Sequence, residues 1–164
     1  VVIAAWFDPG LLTGVCAYDF EADELILLDE FDYINTGLVL DADERGWLLE
    51  KHVVAQYGEP FPDIRVGWEN YRIMKGPQSQ APWSLETIGE LRYLSAKYGY
   101  TVLDTAEPSA RNVITGRMLK DIGWYPKVKA KKDAYSAAQH CLAWMLRENI
   151  LPDKYKEPLY GSLR

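Results

Sequence analysis

The chain has 164 residues, and 18 Lys and Arg against 24 Asp and Glu leave a formal net charge of −6. At 48% hydrophobic and 26% charged, its composition is that of one folded globular chain and excludes a disordered one. No run of about 18 uncharged apolar residues occurs, which excludes a transmembrane helix, and the acidic balance on its own argues against nucleic acid as a partner.

The opening Val1-Val2-Ile3-Ala4-Ala5-Trp6-Phe7 has no basic n-region and runs into Asp8, so residues 1–8 read as a buried strand and not as a signal peptide. The absence of an initiator Met leaves room for residues ahead of Val1. After a Pro9-Gly10 turn, Thr13 to Phe20 reads as a second strand, and Glu24 to Ile34 as a third centred on Leu25-Ile26-Leu27-Leu28. Their short connections imply an antiparallel meander. Asp41-Ala42-Asp43-Glu44 opens a helix, since acids favour a first turn; it runs through Trp47, Leu48, Val53 and Val54 to a stop at Gly58. Ile64 to Glu69 reads as a strand, Pro82 to Tyr98 as a helix ended by Gly99, and Tyr100 to Asp104 as a further strand. Ser109 to Lys120 reads as one Ser-capped helix, Gly123 to Lys131 as a loop, and Lys132 to Asn149 as the last helix. Residues 150–164 read as a polar C-terminal tail.

This order predicts an α/β fold in a single domain over residues 1–164. Its mixed sheet joins the three-strand meander to parallel strands, with helices on both faces. Right-handed crossovers put the later strands beside the first, which becomes central. Cys16 and Cys141 are too few for a disulfide framework, so an intracellular, cytoplasmic setting is expected.

The charge is unevenly spread. Residues 19–50 hold eleven acids and one base, whereas residues 109–132 hold seven bases (Arg111, Arg117, Lys120, Lys127, Lys129, Lys131, Lys132) and one acid, Asp121. Screening beyond roughly 10 Å lets such a block act locally on a polyanion, although it reads equally as a solvated loop. The acidic segment is expected on the side away from any bound polyanion.

Three carboxylates stand out by position. Asp8 closes the central strand, Glu69 closes the strand expected to lie parallel to it, and Asp133 opens the last helix. Singly, each has an ordinary reading: a turn, a solvated strand end, a favourable first-turn charge. Together they are expected at one sheet edge, because Ala134, Ala137, Ala138 and Cys141 give the helix a small face for close approach. Crowded carboxylates need a cation, and oxygen ligands suit Mg²⁺ or Mn²⁺, two of which would serve phosphodiester hydrolysis.

At these residues the sequence resembles RuvC-type Holliday junction resolvases of the RNase H-like superfamily. Ile3-Ala4-Ala5-Trp6-Phe7-Asp8-Pro9-Gly10 with Thr13-Gly14 is similar to their first strand and turn. Glu69 with Tyr71 is similar to their second acid, and Asp133-Ala134-Tyr135-Ser136-Ala137-Ala138-Gln139-His140 to their acid-plus-alanine helix. The remoteness of the match points to a phage-encoded branch acting in the host cytoplasm. The resemblance implies a homodimer that binds branched, four-way junction DNA and nicks it with Mg²⁺ or Mn²⁺. Asp8, Glu69 and Asp133 would be catalytic and metal-binding. A fourth metal-proximal group is expected one turn before Asp133, where this chain has Ala130; it is missing or supplied otherwise, with Asp104 and His140 as substitutes, and His140 reads more readily as a packing residue of the helix. The DNA-binding set is Tyr71, Arg72, Lys75, Arg111, Arg117, Lys127, Lys129, Lys131 and Lys132. The Pro82–Tyr98 helix would supply the dimer contact, with Trp83, Leu91 and Leu94 as candidates that read equally as core. Other readings are a ribonuclease H or terminase-type nuclease, a non-catalytic DNA-binding subunit of this fold, and half of an actin-like sugar kinase; the last needs a second similar domain.

Overall fold

The structure, a computed structural model, describes residues 1–32, 49, 57, 62–70, 82–103, 110–125 and 131–161. Strands β1 (Val2–Asp8), β2 (Leu12–Asp19) and β3 (Glu24–Asp32) form the antiparallel meander. Strand β4 (Asp63–Trp68) lies parallel to β1, and the short β5 (Thr101–Val102) parallel to β4. The sheet order is β3-β2-β1-β4-β5, so β1 is central as expected. Its continuous apolar sequence follows from burial on both faces.

Side chains of β1, β2 and β4 alternate between those faces, and a register shift in the β2–β3 pairing at Ala17/Tyr18 puts both Ile26 and Leu27 of β3 on one side. Ile3, Ala5, Phe7, Val15, Ala17, Ile64, Val66 and Trp68 form one core with Leu49 and with Ile88, Leu91 and Leu94 of helix α1 (Pro82–Tyr98). Ala4, Trp6, Cys16 and Tyr18 form the other with Ala137, Ala138, Cys141, Leu142 and Met145 of helix α4 (Lys132–Arg147). Both free cysteines are in this second core, and burial, followed by contact with Cys16, pushes the Cys141 thiol well up. Of the helix expected between Asp41 and Gly58, only Leu49 and Tyr57 are among the described residues, and both are helical.

Two expectations are corrected. The single helix over Ser109–Lys120 is two short ones, α2 (Ala110–Val113) and α3 (Gly116–Asp121). Thr115 interrupts them with extended backbone (φ −88°, ψ 159°), and its Oγ1 accepts from the Met118 N–H at 3.3 Å to start α3. Ile114 between them is buried, and its carbonyl accepts from Gln139 of α4, which anchors the break. The polar tail is instead helix α5 (Asp153–Gly161). Its polar composition hides Tyr155 and Leu159 one turn apart; Leu159 is 1% exposed, and Tyr155 meets Trp124 edge-on at 5.4 Å between ring centres. An ion pair from Lys154 to Asp23 at 3.1 Å fastens α5 to the β2–β3 turn. Among the described residues no helix is long and apolar enough to cross a membrane.

Candidate metal centre

The register sets the site. Asp8 ends β1 opposite Gly14 of β2, and Gly14 in turn faces Glu30 of β3. On the other side Phe7 is aligned with Trp68, and the Glu69 N–H donates to the Phe7 carbonyl at 3.1 Å, which brings Glu69 beside Asp8. Trp6 and Leu28, two residues before Asp8 and Glu30, pack on the α4 side. By the two-residue period of a strand, Glu30, Gly14, Asp8 and Glu69 form a transverse row facing α4.

The turn after Asp8 is fixed locally and from across the molecule. The Thr13 hydroxyl donates to the Gly10 carbonyl at 3.1 Å, and the Ser84 hydroxyl at the start of α1 donates to the Pro9 carbonyl at 2.9 Å. Gly14 is required by the approach of α4. A Cβ on it would lie 1.9 Å from the Asp133 carbonyl oxygen and 2.6 Å from the Ala134 nitrogen. Helix α4 therefore begins directly on the sheet beside Asp8. It then runs back along β1, where Trp144 meets Trp6 at 5.9 Å between ring centres.

That descent carries His140 onto Glu69. Its Nε2 lies 3.0 Å from Glu69 Oε2, with His140 fully buried and Glu69 8% exposed. One ligand atom each from Asp8, Glu69 and His140 falls within 4.8 Å of the others. The donors fit a divalent cation. Two carboxylates this close favour a cation between them. The imidazole extends the acceptable metals from Mg²⁺ toward Mn²⁺ and other imidazole-binding ions. His140 Nδ1 is buried without a hydrogen-bond partner among the described residues.

Asp8 and Glu69 thus come together as expected from strand order, and His140 joins them. Asp133 is in the first turn of α4 with its backbone against Gly14. Its carboxylate is not part of the three-residue group found among the described residues. Of the residues expected around a metal, His140, two turns further along the same helix, is the one that completes this group.

Sequence reasoning missed Glu30. Its Oε1 accepts from the Asp133 N–H at 2.7 Å and the Ala134 N–H at 3.3 Å, across more than a hundred residues of chain. Nothing local marks it: Glu30 is one of eleven acids in residues 19–50. Part of that segment meets the basic block, because Asp29 pairs with Lys131 while Glu30 holds the start of α4.

Within the basic block, Arg117 pairs with Asp121 at 3.8 Å, Lys120 lies 4.8 Å over the Tyr125 ring, and Lys132 is exposed. Tyr71, Arg72, Lys75, Asp104, Lys127 and Lys129 lie outside the described residues, as does the side chain of Arg111. Leu91 and Leu94 are core and unavailable to a dimer contact, Trp83 is half-buried, and Leu85 and Tyr93 are exposed large apolar residues of α1.

No family model matches the chain, and no curated protein matches it in sequence. Among solved structures it is similar to RuvC of T. thermophilus in complex with a Holliday junction substrate. The TM-score is 0.55 at 12% identity, over 92% of this chain and 98% of that one. The chain therefore has the RuvC-like, RNase H-like fold: a mixed five-stranded sheet with helices on both faces.

Proposed function

We propose that this chain is a divalent-metal-dependent endodeoxyribonuclease that resolves four-way DNA junctions as a homodimer, in a single domain, with Mg²⁺ or Mn²⁺ as cofactor. The observation that carries this reading is the convergence of Asp8, Glu69 and His140 within 4.8 Å at the carboxyl edge of parallel β1 and β4, the edge where open α/β sheets bind ligands. The solved RuvC, whose fold this chain shares, is in complex with a Holliday junction substrate.

Asp8 and Glu69, with His140, would hold one cation; Asp133 would serve a second from the first turn of α4. Two such ions supply an activated water and charge stabilisation at the leaving oxygen of a phosphodiester. The protein's own part is positioning. Buried His140 stands 3.0 Å from one Glu69 oxygen, so the two would share the cation without a large movement of either. The Ser84 and Thr13 hydrogen bonds hold the turn behind Asp8. Exposed Lys132 adjoins the site for backbone phosphate, the contact that dominates DNA affinity.

The test is cleavage of labelled four-way junction, linear duplex and RNA–DNA hybrid with Mg²⁺, Mn²⁺ or EDTA. Paired symmetric nicks in the junction with either metal and none in EDTA are expected. Asp8→Asn and Glu69→Gln should each cut cleavage by about 100-fold or more while junction binding survives. Cleavage confined to the hybrid identifies a ribonuclease H instead, and junction binding without any cleavage identifies a non-catalytic DNA-binding protein of this fold.

A further inference from the structure

We infer that Glu30 is a positioning residue of the metal centre: it holds the first turn of α4 on the sheet and so sets where His140 meets Glu69. For its consequence in metal binding the inference rests on the proposed nuclease reading; the clamp itself does not.

A helix start leaves backbone N–H groups without intrahelical partners, and a nearby side chain usually satisfies them. Here the residue at the cap position, Lys131, makes no such side-chain hydrogen bond. Glu30 of β3 does so from across the sheet, with one oxygen on the Asp133 and Ala134 N–H groups at 2.7 and 3.3 Å. A carboxylate at this end of a helix also complements its dipole. The neighbouring Asp29–Lys131 ion pair fastens the same turn to the same strand.

The placement couples this contact to the metal ligands. Glu30 faces Gly14, Gly14 faces Asp8, and the Asp133 carbonyl rests in the space left by the missing Gly14 side chain. Glu30 therefore stands on one side of the α4 start and Asp8 on the other. Helix α4 is a continuous 16-residue helix, so its first turn and His140 move together. Release of that turn shifts the imidazole relative to Glu69, whose position β4 fixes independently. Groups that orient metal ligands without touching the metal typically change affinity by about 10–100-fold when removed.

The experiment uses the full chain with Glu30→Ala, Glu30→Gln and Glu30→Asp. Two readouts are taken: amide exchange at Asp133 and Ala134, and Mn²⁺ affinity from the free-ion electron paramagnetic resonance signal. Glu30→Ala should speed exchange at those two amides by about tenfold, leave Leu91 of α1 unchanged, and weaken Mn²⁺ binding by about tenfold. Glu30→Gln keeps an oxygen acceptor and should restore both to within about threefold of the parent. Glu30→Asp, shorter by one methylene, should behave like Glu30→Ala and replaces it should that variant not fold. Unchanged exchange in the Ala and Asp variants overturns the clamp. Normal exchange with Mn²⁺ affinity lost equally in the Gln and Ala variants overturns it too, because Glu30 would then act through its charge on the metal. A parent chain that neither binds Mn²⁺ nor cuts DNA removes the nuclease reading, and the exchange result still decides the clamp.

Discussion

Replacement of Gly14 by alanine tests the close approach of α4 without reference to any activity. The added Cβ would lie 1.9 Å from the Asp133 carbonyl oxygen, 2.1 Å from its carbon and 2.6 Å from the Ala134 nitrogen. All three are backbone atoms, so no side chain can rotate away. Carbon and oxygen tolerate an approach of about 3.2 Å, so the helix start must withdraw by roughly 1 Å or more. A shift of that size stretches the 2.7 Å bond from the Asp133 N–H to Glu30 beyond hydrogen-bonding reach. Overpacking costs about 1–3 kcal/mol and the lost charge-assisted bond about 1.5–3 kcal/mol, so roughly 2.5–6 kcal/mol in all. At about 2–4 °C per kcal/mol for a chain of this size, Tm should fall by roughly 5–24 °C. Urea unfolding with an unchanged m-value measures the same loss. Mn²⁺ affinity should fall alongside, because His140 is on the displaced helix. A Gly14→Ala variant within about 0.5 kcal/mol of the parent would refute the packing of α4 on β2.

Leu159→Ala should cost about 2–5 kcal/mol in urea unfolding, since α5 buries this side chain in the α4-side core; a cost below about 0.5 kcal/mol would mean that residues 150–164 behave as a tail. Burial tends to raise the Asp19 carboxyl, but hydrogen bonds from the Tyr57 hydroxyl and the Ala22 and Glu21 N–H groups prevail and hold it below the ordinary carboxylate value. Stability from Asp19 is therefore full above about pH 4 and lost as pH falls through its lowered value. Asp19→Asn should lose about 1–3 kcal/mol at pH 7 and show a shallower acid slope than the parent by urea unfolding at stepped pH; an equal slope rules Asp19 out. Lys132→Ala should weaken junction binding and reduce the slope of log affinity against log salt by about one unit; an unchanged slope means that Lys132 does not meet phosphate.

The strand framework was legible because its signals are local. A continuous apolar run ending in Asp8-Pro9-Gly10 marks a buried strand and its turn, and short links between residues 8 and 24 leave little but a meander. The helix over Pro82–Tyr98 was bounded correctly by a Pro at its start and a Gly at its end, with Gly99 at φ +72°. The misreadings share another cause. Whether residues 109–120 form one helix or two depends on Ile114 being held by Gln139 of α4, a contact with no trace in the local pattern. Helix α5 owes its place to Trp124 and Tyr18, which its own polar sequence does not mention.

The site divides in the same way. Asp8 and Glu69 followed from strand order alone, since parallel neighbours must end at one edge. The third corner depends on how far α4 descends before its side chains reach β4, a matter of packing depth. Gly14 sets that depth by letting the first turn touch the sheet, which carries His140 down onto Glu69. Charge counting was misleading for a related reason. Divided along the chain, the acids of residues 19–50 and the bases of residues 109–132 look like opposite faces of the protein, one turned from DNA and one toward it. The fold joins their ends: Asp29 takes Lys131, and Glu30 takes the helix that Lys131 introduces. Part of the acidic segment thus holds the helix start beside the candidate site, and Lys131 of the basic block is paired within the fold. On the proposed nuclease reading, Lys132, exposed and next to Asp133, is a described cation open to phosphate, and its removal should weaken junction binding.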